Sequence, residues 1–106
     1  MSTHKVTVLY TRIDDRSGFD EHFFGSHLPA AQATPGLLDI RVSTFEGDET
    51  PAVPVMVELL FASAEDLQAG LASEVQAAAK ADFEKMIELY GLEVTFLIGT
   101  EEVHGS

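Results

Sequence analysis

The chain has 106 residues, 45% of them hydrophobic, which is enough for one domain around one apolar core. It has no cysteine, so disulfides, thiolate catalysis, iron–sulfur clusters and cysteine zinc sites are excluded. Eighteen acidic residues against six basic ones give a formal charge of −12, which repels phosphate backbones and anionic lipid headgroups, so neither nucleic acid nor a membrane surface is expected as a partner.

The first element is a strand over Lys5 to Arg12, where Val6, Val8 and Tyr10 alternate with Lys5, Thr7, Leu9 and Thr11 and the β-branched residues suit a pleated surface. After Asp14-Asp15-Arg16, Ser17 is placed to cap a helix, with Asp20 three residues on. That helix carries Phe19, Phe23 and His27 at successive i, i+4 spacings and stops before Thr34-Pro35-Gly36, with a kink or an early end at Leu28 open because Pro29 follows. His22 then falls on the outer, solvent side.

Leu37 to Glu46 alternates Leu38, Ile40 and Val42 with Asp39, Arg41 and Ser43 and reads as a second strand. Gly47 to Pro51 reads as a turn, and Val53 to Ala62 as a third strand, with Val53, Val55, Val57, Leu59 and Phe61 on one face and Met56, Glu58 and Leu60 on the other. Ser63 with Asp66 caps a short helix, and Ser73 with Gln76 starts another, along which Ala79, Phe83, Met86, Ile87 and Tyr90 form an apolar stripe ended by Gly91. Val94, Phe96 and Ile98, alternating with Thr95, Leu97 and Gly99, supply the last strand.

The order β-α-β-β-α-β predicts a single α+β domain over residues 1–106, of the ferredoxin-like kind, with both helical regions on one face of a four-stranded antiparallel sheet. Leu9, Phe45, Met56, Leu60 and Leu97 are then expected on the uncovered face, an apolar patch that a second copy of the sheet would cover, so a homodimer is expected. No segment reaches the roughly 20 apolar residues of a membrane span, and Met1 to Lys5 lacks the apolar stretch of a signal peptide, so a cytoplasmic location is expected.

The run Phe19-Asp20-Glu21-His22-Phe23-Phe24-Gly25-Ser26-His27-Leu28-Pro29, followed by Pro35-Gly36, resembles the first-helix signature of the EthD-like proteins: an aromatic-rich helix, a His-x-Pro step and a Pro-Gly stop. Glu58 to Leu67, Ala72-Ser73-Glu74 and Ala81-Asp82-Phe83 are similar to the family's third strand and second helical region. The resemblance implies a dimeric α/β barrel, in which each subunit keeps a cleft between sheet and helices. The superfamily includes cofactor-free monooxygenases, muconolactone isomerases, polyketide cyclases and haem-degrading enzymes, and the EthD-like proteins are linked to ethyl tert-butyl ether breakdown. A fold shared by so many chemistries does not select one of them.

His27 is the leading candidate for chemistry, one turn beyond Phe23 on the side expected to face the cleft, because imidazole exchanges a proton near neutral pH. The alternative is a histidine that braces the helix end. Asp82 corresponds to an acidic position of the family pattern and would orient the His27 tautomer if it reaches the ring; otherwise it is a solvated helix residue. Tyr10 can present a phenol to the cleft, and Arg41 or Arg12 can hold an anionic group, although each also suits an ordinary core edge or surface pair. Phe19, Phe23, Phe61 and Phe83 are core residues that would contact a ligand if the cleft is open.

The expected ligand is a small apolar organic compound. The expected activity is that of a cofactor-free isomerase, cyclase or monooxygenase, or of an accessory protein in the catabolism of such a compound. A carrier without chemistry and a structural dimer with a vestigial pocket are the alternatives. No cofactor is expected: no histidine–carboxylate spacing demands a metal, haem ligation by His27 rests on superfamily analogy alone, and phosphate-loop, dinucleotide and nucleophile-elbow motifs are missing.

Overall fold

A computed structural model describes residues 2–46 and 52–105. Strand β1 runs from Ser2 to Ile13 and pairs antiparallel with strand β3 (Val55–Phe61) on one side and strand β4 (Leu92–Glu102) on the other. Strand β2 (Leu37–Thr44) pairs antiparallel with β3, giving the sheet order β2-β3-β1-β4. This is the split βαβ, ferredoxin-like arrangement.

Helix α1 (Arg16–His22) is capped by Asp15, whose carboxylate accepts the Gly18 N–H at 3.0 Å. The expected Ser17 and Asp20 cap does not form, because Arg16 is already helical and its guanidinium holds Asp20 at 2.9 Å, one turn on. The helical run does not break at Leu28. It widens into one π-turn over Phe23–His27, where the Leu28 N–H reaches back five residues to the Phe23 carbonyl, and then continues as α2 (Leu28–Ala31). Pro29 is the second residue of α2, inside the continuous run, and having no N–H it leaves that run one backbone bond short just after the π-turn.

Between α2 and β2 the chain turns at Gly36, whose φ of 76° suits a residue without Cβ. Strand β2 then departs from simple alternation: Leu37 pairs with Phe61 and Asp39 with Leu60, so Leu38 is an extra, bulged residue, 59% exposed, and Leu37 rather than Leu38 joins Ile40 against the core. Strand β3 begins at Val55, not Val53, because Pro54 has no N–H to give the ladder; its carbonyl instead accepts the Phe45 N–H at 3.0 Å. The expected Gly47–Pro51 turn lies outside the described residues.

Helix α3 (Ala64–Leu71) is capped by Ser63 and helix α4 (Glu74–Tyr90) by Ser73, and Gly91 ends α4 in the left-handed region at φ 64°. The Gln76 side chain does not return to Ser73. It donates to Thr34 Oγ1 at 2.7 Å, and Thr34 in turn donates to the Ala31 carbonyl, so the end of α2 is tied to α4. No helix among the described residues is long and apolar enough to cross a membrane.

The helices cover one face of the sheet, where Val6, Val8, Tyr10, Val57, Leu59 and Phe61 meet Phe19, Phe23, Leu67, Phe83 and Met86. The other face carries Leu9, Met56, Leu60 and Leu97 by strand alternation, as expected, and charged residues beside them. Lys5 bridges Glu58 at 2.6 Å and Glu101 at 3.2 Å, and Arg41 holds the other oxygen of Glu101 at 2.8 Å, so an ion network crosses its centre. The salt links lift the Lys5 and Arg41 pKa values and lower that of Glu101. Phe45 lies beyond the end of β2, 44% exposed.

Candidate functional site

Sheet and helices do not close fully on each other. Between them lies a cavity of about 550 Å³, within the 300–1,000 Å³ typical of ligand sites. Its floor is the sheet, with Val8, Val57 and Leu59 at the centre. Phe23 and His27 of the π-turn and Ala79 and Phe83 of α4 form the roof. Phe96 and Ile98 of edge strand β4 also line it while remaining 56% and 62% exposed, which puts the mouth along β4. The wall is almost wholly apolar; its polar side chains are Tyr10, His27, Gln76, Lys80 and Glu84.

His27 is held firmly in that wall. Its ring lies 5.9 Å from that of Phe23 and 6.3 Å from that of Phe83, and its side chain is 12% exposed. Nδ1 meets Asp82 Oδ2 at 2.8 Å. The second oxygen of the same carboxylate, Oδ1, meets His22 Nε2 at 2.8 Å, and His22 Nδ1 meets the Tyr90 hydroxyl at 2.8 Å. Burial raises the Asp82 pKa, but the hydrogen bonds from His27 and His22 outweigh it and bring the carboxyl below its ordinary value.

An ionised Asp82 can only accept, so both imidazole nitrogens facing it carry hydrogen. With His27 neutral, its Nε2 is therefore a bare lone pair. With His22 neutral, its Nδ1 is bare and accepts the Tyr90 O–H. The four residues thus form one chain in which donation converges on Asp82, from the Tyr90 hydroxyl through His22 on one side and from His27 on the other. Because Asp82 draws hydrogen-bearing nitrogens, the two rings do not turn lone pairs toward a common point, and among the described residues no group of three or more His, Asp or Glu could hold a metal ion.

The structure brings Tyr10, Phe23, His27 and Phe83 to the cavity and places Asp82 directly behind His27. Tyr10 is 2% exposed, and burial pushes its phenol pKa up, so it stays a neutral O–H. Phe19 and Phe61 do not line the cavity. Both are fully enclosed, Phe19 stacked on Phe23 at 5.2 Å and Phe61 against Gly70, where a Cβ would come within 2.7 Å of its ring. Arg41 is on the opposite face of the sheet in the ion network, and Arg12 is at the end of β1, paired with Glu93 at 2.6 Å. His104 is exposed beside Glu102.

His22 is the residue that helical periodicity misplaces. A regular α-helix sets residues five apart about 140° around the axis, which would point His22 outward when His27 points in. The π-turn between them removes most of that angle, and His22 is only 19% exposed. Gly18 makes room for its other partner: a Cβ there would fall 2.7 Å from Tyr90 Cε1.

No protein-family model matches the chain, and no curated protein matches it. Solved structures do. SnoaB of Streptomyces nogalater, a cofactor-independent oxygenase, superposes with a TM-score of 0.62 at 11% identity, over 99% of this chain and 95% of that one. A dimeric ferredoxin-like protein of unknown function from Thermobifida fusca gives 0.67 at 14%, over 96% and 92%. At these identities the likeness is one of fold. An ethyl tert-butyl ether (EthD) family protein of Bacillus halodurans gives a TM-score of 0.78 at 30% identity, over 95% of this chain and 99% of that one. With that identity carried from the first strand to the last, the chain belongs to the EthD family.

Proposed function

We propose that the protein binds a small, mostly apolar organic molecule between sheet and helices and acts on it without a cofactor, with His27 as general base and Asp82 as the group that orients it. The observation that carries this reading is the placement of His27: one ring nitrogen is committed to an ionised carboxylate and the ring forms part of the wall of an apolar cavity. A base so placed can take a proton from an acidic C–H or O–H of a ligand, because the imidazolium formed sits against Asp82. Returning the proton at another atom is isomerisation or ring closure; leaving the carbanion for dioxygen is oxygenation. The fold shared with a cofactor-independent oxygenase supports this class of chemistry.

The same reading includes a homodimer. Its support is the dimeric neighbour of the same fold and the exposure of Phe96, Leu97 and Ile98, three consecutive apolar residues on the edge strand.

The test uses 2-tetralone, an apolar bicyclic ketone with acidic α-hydrogens. Binding is followed by chemical-shift changes at Phe23, Ala79 and Phe83, and exchange of the α-hydrogens by NMR in heavy water. Saturable binding with exchange about a hundredfold slower in His27→Ala supports the base. Binding with equal exchange in both proteins favours a carrier, and no binding removes both readings.

A further inference from the structure

Asp82 by itself does not determine how His27 is presented. Its side chain is 33% exposed, and rotation about the bond to its carboxylate is soft, so one hydrogen bond to His27 leaves the group free to swing. Here the swing is stopped from the other side. His22 grips Oδ1 at the same 2.8 Å at which His27 meets Oδ2, and Tyr90 holds His22 from behind. Each ring is braced by what it packs on: the Tyr90 ring stands edge-on to His22 at 5.6 Å and is seated against Gly18.

We propose that His22 and Tyr90 are positioning residues that lock the Asp82 carboxylate between two imidazoles and thereby present His27 to the cavity with Nε2 as a bare acceptor rather than an N–H donor. In water a neutral imidazole favours the opposite tautomer, with hydrogen on Nε2, so the arrangement has to be maintained by the surroundings. Asp82 supplies the acceptor for the Nδ1 hydrogen, and His22 keeps that acceptor aimed. Tyr90 gives the His22 Nδ1 lone pair a donor, which leaves the His22 Nε2 hydrogen for Asp82. The consequence for binding is a preference for ligands that offer His27 a hydrogen. This rests on the reading of His27 as the working base, but the lock itself is observable without any reaction.

The measurement is the two-bond proton–nitrogen correlation spectrum of the histidine rings in nitrogen-15-labelled protein at mildly alkaline pH, which reports which nitrogen carries hydrogen. The wild type should show His27 solely in the Nδ1–H form. His22→Ala should convert it to a mixture with the Nε2–H form, Tyr90→Phe should give a smaller share of that mixture, and His22→Gln, whose amide can still donate to Oδ1, should restore the single form. A wild-type His27 with hydrogen on Nε2, or one that keeps the single Nδ1–H form in both folded His22→Ala and Tyr90→Phe, overturns the proposal; if His22→Ala does not fold, Tyr90→Phe alone decides. If the tautomer shifts as stated while 2-tetralone exchange is indifferent to His27→Ala, the lock stands and the reading of His27 as a base falls.

Discussion

His22 and His27 are five residues apart and hydrogen-bond the two oxygens of one carboxylate, each at 2.8 Å. They do so because the single π-turn of the helix lies between them. Wide turns of this kind recur at functional sites because they re-aim side chains without breaking the helix. The turn here sets a polar cluster behind an otherwise apolar cavity and leaves one imidazole nitrogen uncommitted.

The charge on Asp82 should be separable from its shape. In Asp82→Asn the side chain still fits between the rings, but no negative charge faces a protonated His27. Ligand binding should be retained while 2-tetralone exchange falls about tenfold or more. Equal exchange in the two proteins would show that Asp82 only braces the ring.

Asp82 also sets an acid limit. Its carboxyl lies below the ordinary value of 3.8, since the hydrogen bonds from His27 and His22 outweigh the upward effect of burial. A carboxyl lowered on folding stabilises the protein above its unfolded pKa, and that contribution is lost as pH falls through the folded value. Urea unfolding of wild type and Asp82→Asn should therefore differ most above about pH 4 and converge in stronger acid. A gap that widens on acidification would contradict the assigned sign.

Two glycines of the first helical run should respond oppositely to alanine. Gly25 has open space where a Cβ would go, so Gly25→Ala should stabilise by about 0.5–1 kcal/mol through helix propensity and a less flexible unfolded chain. At Gly18 the Cβ would meet Asp15 and the Tyr90 ring, so Gly18→Ala should cost about 1–3 kcal/mol and loosen the bond from Tyr90 to His22. Denaturant titration with the histidine ring spectrum measures both.

For the homodimer, sedimentation equilibrium at micromolar concentration should give twice the chain mass. Leu97 lies on the helix-free face of edge strand β4, 51% exposed and opposite Thr7, so Leu97→Lys should shift the distribution toward the single chain with the cavity intact. A wild type that sediments as one chain would rule the dimer out.

Much of the fold is legible in the residues themselves. The alternation of Val6, Val8 and Tyr10 and the stripe through Phe83, Met86 and Tyr90 place the core, and Ser63, Ser73 and Gly91 mark helix ends by their hydrogen-bonding and φ preferences. Arg41, offered as a residue that could hold a ligand group, has the opposite parity to Ile40 in the same strand, which is the signal that it faces away from the cavity. The departures come from insertions that shift a period by one residue. Leu38 is such an insertion in β2, and the π-turn is one in the helix; neither changes composition, and only Pro29 hints at the second. Phe19 and Phe61 show a different limit, because a phenylalanine that fills the core and one that walls a cavity have the same sequence pattern.

Filling the cavity separates a binding site from an incidental void. Ala79 lies in the roof, 6% exposed, two turns along α4 from the Ser73 cap and one turn before Phe83. In Ala79→Phe the added ring has the cavity in front of it, so it can enter empty space in place of displacing packed atoms, and the stability change should stay within about 1.5 kcal/mol. The site for 2-tetralone is then occupied, and binding and exchange should both vanish while the His27–Asp82–His22–Tyr90 bonds persist in the ring spectrum. If the variant still binds the ketone with unchanged affinity, the ligand sits elsewhere and the cavity is a packing defect. If the ring spectrum collapses together with binding, the phenyl ring has displaced His27, and Leu71→Phe, on the α3 side of the same cavity, makes the same test at a position on a different helix.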